Sequence, residues 1–200
     1  RWAFLAAIVG LAGVTTIALR VTTRSATGMY AMVEESRDAL HREVHKAREL
    51  HKAVLTESLP DTQRAQIAGF YEPVDALGGD SFSWYRSEGQ LFLYITDVSG
   101  HGLAAALMSS FVKHTVDSLM AVLPKDQRSP GTILNHLGRQ LPKKRFPEDS
   151  MITYWGAHLN EDTLLLRWAA AGFHTPPLLV CPGVPARELP SPGLPLSPGI

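Results

Sequence analysis

Eighteen consecutive residues without a charge, Trp2 to Leu19, open the chain. A helix of that length reaches the lower end of what crosses a hydrocarbon core of roughly 30 Å. Arg1 bounds the run on one side, and Arg20 and Arg24 on the other. Trp2 sits where an interfacial anchor belongs, and the arginines that follow favour a cytoplasmic C-terminal side. The pattern predicts a transmembrane helix with a basic flank over residues 1–24, set in the inner (cell) membrane. No small-residue cleavage site of a secretory leader follows it. Charged and polar residues then dominate from 25 to 60, with no glycine after Gly28 and no proline before Pro60. That stretch predicts one long linker helix ending at Leu59-Pro60, because proline disfavours helix at the residue before it. Val33, Leu40, Ala47 and Val54 recur every seven residues, while Ser36, Glu43 and Leu50 make an irregular companion seam. The heptad signal is weak, yet a helix of this kind can pair with a second copy and form a homodimer.

Residues 61–200 read as a mixed α+β domain. Gln66–Tyr71 is a short strand candidate. Gln90–Thr96 (QLFLYIT) is nearly continuous apolar and β-prone, which predicts a buried strand. Gly102–Leu123 is rich in small and apolar residues at helical spacing and predicts a helix packed closely on a sheet. Ser129 followed by Pro130 predicts an N-cap and first helical position, opening a second helix to Leu141. Met151–Leu159 and Thr163–Ala170 flank Asn160-Glu161-Asp162 and predict a hairpin, with a further strand over Pro177–Cys181. Strands run into helices and back into strands, which argues for sheets covered by helices rather than a regular parallel βαβ array.

Composition narrows the reading only a little. Nineteen basic and nineteen acidic residues cancel, so no electrostatic case exists for a nucleic-acid partner. Lys143-Lys144-Arg145 reads as a solvated loop. Cys181 is the one cysteine, so no intrachain disulfide supports the fold. The first residue is Arg and the last segment, from Pro190, is rich in Pro and Gly; both ends read as cuts through a longer protein.

Two segments carry the candidate chemistry. Leu77-Gly78-Gly79-Asp80 and Asp97-Val98-Ser99-Gly100-His101-Gly102 each set a carboxylate at or just beyond a β-element, among glycines that permit close backbone approach. Brought together, two such carboxylates are hard oxygen ligands suited to Mg²⁺ or Mn²⁺. Two ions roughly 3.5–4 Å apart can activate a water and clamp a phosphoryl group. The residue types alone leave blander readings open. Gly-Gly-Asp is commonly a turn, Asp97 suits a helix N-cap, and His101 a packed or capping residue.

The stretches FYEPVDALGGD and LFLYITDVSGHGLAAALMSS, in that order, resemble the SpoIIE-like branch of the PPM superfamily, the metal-dependent type 2C-like protein phosphatases. Ser129–Asn135, Thr153, the segment Ala171–Leu179 and Gly193–Leu196 resemble further blocks of that family, so the similarity covers about residues 46–200. The resemblance implies a β-sandwich flanked by helices. It implies hydrolysis of phosphoserine or phosphothreonine on a regulatory partner protein, by direct attack of a metal-activated water. Asp80 and Asp97 would bind two Mn²⁺ or Mg²⁺ ions with the main-chain carbonyl of Val98, and His101 would protonate the leaving oxygen. Relatives act in sigma-factor control, which implies a phosphorylated anti-sigma-factor antagonist as substrate.

The chain also departs from the family pattern. The final metal aspartates belong to a segment expected after residue 200, so the metal site in residues 1–200 is expected to be incomplete. Phe173 is an extra residue within the Ala-Gly-His-Pro-Pro block, which reads as structural. The alternative is a degenerate, membrane-anchored module that binds or relays without catalysis. Gly79-Asp80-Ser81-Phe82 also resembles the opening block of GDS esterases, but the Asp-x-x-His pair of that chemistry occurs only as Asp38 and His41, within the linker. His41 and His45 read as solvated helix residues.

Overall fold

The computed structural model describes residues 2–55, 66–72, 77–143, 146–147 and 149–198, without the side chains of 3–9, 11, 12, 14, 17 and 18. It divides into two compact units, Arg1–Lys46 and Ala47–Ile200.

The first unit is helical. Its residues belong to α1, Trp2–Leu55, which continues into the second unit. Thr23 and Thr27 return their hydroxyls to the carbonyls of Leu19 and Thr23, at 2.8 and 3.0 Å, a bond that lets threonine sit inside a helix. Exposed Glu34–Arg37 and Glu43–Lys46 pairs follow helical spacing. Val33 and Leu40 of the heptad positions are exposed. The expected linker helix is present to Leu55, while its expected end at Leu59-Pro60 lies outside the described residues. Most side chains of the expected span also lie outside them. Among the described residues no helix is long and apolar enough to cross a membrane.

In the second unit a four-stranded antiparallel sheet runs in the order β1 (Ser81–Ser87), β2 (Gln90–Val98), β3 (Ile152–Asn160), β4 (Leu166–Ala171). β1 and β2 are joined by Glu88 and Gly89, both at positive φ (48° and 72°), the backbone of a two-residue hairpin whose twist matches the strands. The expected strand at 66–71 is not formed. The segment SFSWYRS forms β1 instead, because its alternation puts Ser81, Ser83 and Tyr85 on one face and Phe82 and Trp84 on the other. The β3–β4 hairpin forms as expected, and the Asn160 side chain accepts N–H bonds from Asp162 and Thr163 at 3.0 and 2.8 Å.

Two helices cover one face of the sheet. α2 (Gly102–Val122) and α3 (Pro130–Gln140) bury Val112, Val116, Ile133 and Leu137 against Phe92, Tyr94 and Tyr154. Tyr94 and Tyr154 stack at 5.9 Å. The Ser129 cap forms as the sequence requires, accepting the Thr132 N–H at 3.2 Å. The opposite face carries a smaller cluster around Trp155, Ala157 and Leu189.

β5 (Leu178–Cys181) and β6 (Val184–Glu188) form a separate two-stranded sheet. The strand expected at Pro177–Cys181 is thus seen, paired with one that the sequence pattern leaves unassigned. All residues of β5 and β6 are exposed, so they make no second wall of a core. The described residues form one sheet of four strands and one of two.

Candidate functional site

The site begins with strand register. Ser81 pairs with Thr96 across the β1–β2 hairpin. One further step along an antiparallel register sets Asp80 opposite Asp97, and opposed residues share a face. The two carboxyl groups lie close enough to act on each other electrostatically. Loss of water around Asp80, then the Asp97 charge, then hydrogen bonding toward Asp97 push the Asp80 carboxyl up to about 6. Two like charges in contact resist ionising together.

Backbone contacts hold the two loops in place. Gly102 N–H donates to the Leu77 carbonyl at 3.1 Å, tying the first residue of α2 to the Gly-Gly-Asp turn. A Cβ on Gly79 would run into the Val98 carbonyl oxygen and come within 3.2 Å of Ala105 Cβ. Glycine is therefore required where this turn crosses the end of β2. Ser99 is pinned to β3 twice, by its N–H to the Met151 carbonyl at 2.8 Å and by its Oγ accepting the Met151 N–H at 2.9 Å.

The acid pair lines a cleft of about 750 Å³. Phe70, Phe82, Ile95, Phe173 and Pro176 give it an apolar wall. No lysine or arginine among the described residues lines it. Tyr71 also lines the cleft, and burial, then the Asp80 charge, raises its hydroxyl above the usual tyrosine range.

The four residues singled out in the sequence are not equally placed. Asp80 and Asp97 meet. Val98 is buried, with its carbonyl toward Gly79. His101 stands before α2 in extended conformation, exposed, without a side-chain capping bond, and does not line the cleft. His174 does line it. Its Nε2 lies 3.8 Å from Asp97 Oδ2, and its Nδ1 lies 3.3 Å from the Gly172 carbonyl. The sequence pattern around His174 reads as structural, so this neighbour of Asp97 is missed there. The available signal is a histidine beside the Pro176-Pro177 step in the connection after β4. Among the described residues no group of three or more His, Cys, Asp or Glu is arranged to hold a metal ion.

The profile of Stage II sporulation protein E (SpoIIE) matches residues 87–199, more than half of the chain. The chain belongs to the SpoIIE family. It is 27% identical over 134 residues to phosphoserine phosphatase RsbU of Bacillus subtilis (strain 168), a match covering 67% of this chain and 38% of that protein. It is 32% identical over 107 residues to phosphoserine phosphatase RsbP of the same organism, covering 50% of this chain and 24% of that protein. The chain thus spans well under half the length of these SpoIIE-family relatives. Among solved structures, the SiaA-PP2C domain of Pseudomonas aeruginosa superposes with a TM-score of 0.65 at 20% identity, over 81% of this chain and 64% of that one. The RsbU and RsbW domains of Rv1364c from Mycobacterium tuberculosis superpose with a TM-score of 0.51 at 26% identity, over 62% of this chain and 33% of that one. The fold is of the PP2C-like mixed helix and sheet type.

Proposed function

We propose that this chain carries a metal-dependent phosphatase domain that hydrolyses phosphoserine or phosphothreonine on a regulatory partner protein. The observation behind the proposal is the acid pair: Asp80 and Asp97, from two motif segments, line one cleft and interact there. Two carboxylates that resist joint ionisation are relieved by a divalent cation, and their oxygens suit a hard ion. Mn²⁺ or Mg²⁺ ions held by Asp80, Asp97 and the Val98 carbonyl would supply an activated water and a clamp on the phosphoryl oxygens.

The chain's own residues do the remaining work in this reading. His174 steadies the Asp97 carboxylate from the side. The family resemblance supports His101, which stands before α2 outside the cleft lining, as the proton donor to the leaving serine or threonine oxygen. The apolar wall around Phe70 and Phe173 receives the polypeptide on either side of the phosphorylated residue. The names of RsbU and RsbP support phosphoserine as the substrate group. The family resemblance supports a phosphorylated anti-sigma-factor antagonist as its carrier. The uncharged run Trp2–Leu19 supports attachment to the inner face of the cell membrane, and the exposed Val33 and Leu40 support pairing of two copies through α1.

The test is turnover of a phosphoserine peptide by the full-length protein, with and without Mn²⁺, and with Asp97→Ala. Phosphate release that needs Mn²⁺ and falls to background in D97A is expected. Release without any divalent metal would remove the reading.

A further inference from the structure

We propose that the crevice between the β1–β2 turn and the C-terminal end of α2 is a second binding site, which takes a small organic anion with a ring-sized apolar body. It measures about 390 Å³ and is lined by Tyr85, Phe92, Met120, Lys125, Arg128 and His158, among others. That is the low end of the size range for small-molecule sites.

The crevice is separate from the acid pair. Tyr85, Phe92 and His158 share the helix-covered face of the sheet by register, whereas Asp97 and Ile95 point to the other face. The crevice also opens at the turn end of the β1–β2 hairpin, and the acid pair sits at the opposite end of the same two strands.

Its chemistry is that of an anion site with an apolar floor. Phe92 and Met120 supply the floor. Arg86, Lys125 and Arg128 bring three positive charges to the rim. Lys125 pairs with Glu88, and Arg86 pairs with the buried Glu161 at 2.9 Å. Arg128 donates its Nε–H to the Leu123 carbonyl at 2.9 Å, one of the five donors of a guanidinium. Among the described residues no carboxylate pairs with Arg128, so the rim keeps a positive excess. The Tyr85 hydroxyl is buried beside this rim with no hydrogen-bond partner among the described residues, an unfavourable arrangement that a bound acceptor would relieve. An anionic head held by Arg128 and Tyr85, with a ring over Phe92 and Met120, satisfies both features.

The probe is benzoate, titrated into the full chain without divalent metal and followed by amide NMR shifts. Acetate and benzyl alcohol serve as the head and the ring alone. Benzoate is expected to saturate, to shift Tyr85, Phe92 and Arg128, and to bind at least about tenfold tighter than either fragment. Arg128→Gln should weaken it about tenfold. R128Q also loses the bond to Leu123, so Met120→Trp, which fills the crevice and leaves the charges in place, is the second variant and should abolish saturation. Non-saturable benzoate, shifts confined to the acid-pair cleft, or binding that survives M120W would overturn the proposal.

Discussion

His174 Nε2 stands 3.8 Å from Asp97 Oδ2, while its other ring nitrogen faces the Gly172 carbonyl at 3.3 Å. The imidazole thus links the connection after β4 to the end of β2. A side chain that orients a metal-binding carboxylate typically changes metal affinity by about 10–100-fold when removed. His174→Ala should therefore weaken Mn²⁺ binding by at least about tenfold, read by calorimetric titration, with the melting temperature little changed. Unaltered Mn²⁺ affinity would reduce the ring to packing.

The raised Asp80 carboxyl makes stability depend on pH in a definite direction. Its folded value, about 6, lies above the ordinary 3.8. Between those values the folded state holds a proton that the unfolded state has lost. The contribution is therefore complete below the ordinary value and disappears as pH rises through about 6. Metal-free protein should lose melting temperature across that window. Asp80→Asn, which carries no charge, should lose less, and should be the more stable of the two at pH 7.5. Parallel melting curves for the two proteins would show that the Asp80 carboxyl is not raised.

Gly79 tests the backbone crossing. Alanine there would drive a methyl group into the Val98 carbonyl, and neither main-chain segment can give way without shifting Asp80 or the start of α2. Gly79→Ala should cost about 1–3 kcal/mol in a urea melt and weaken Mn²⁺ binding with it. At Gly100 a methyl group would meet nothing within 4 Å among the described residues, but φ is 87°, so alanine there should show strain without the collision.

Leaving-group chemistry tests His101. A poor leaving group such as a serine alkoxide needs a proton, whereas p-nitrophenolate departs without one. His101→Ala should reduce kcat on a phosphoserine peptide by about a hundredfold and leave p-nitrophenyl phosphate turnover nearly intact. Equal losses on both substrates would place His101 in a structural role.

The helices were legible because their signals are local. Ser129-Pro130 specifies a capped start whatever lies around it, and the small-residue spacing of Gly102–Val122 survives burial. The β3–β4 hairpin was legible from its Asn-containing turn. β1 was not, because its serines point into the helix-covered core: Ser81 and Ser83 are nearly fully buried. Ser81 bonds to Thr96 and Ser83 to buried Lys113, so polarity and exposure part company there. At the site, Asp80 and Asp97 could be named from motifs. Their proximity to His174 could not, because it depends on where the connection after β4 is laid in space.

The β1–β2 hairpin carries a constraint on length. Asp80 lies eight residues before Glu88, and Asp97 eight residues after Gly89. The acid pair is a mirror image across the turn, so insertions that add one residue to each arm would move both partners together and preserve it. A single added residue in one arm would turn that arm's aspartate toward the helices. Natural or engineered length changes in the two arms should therefore come in matched pairs, one residue in each.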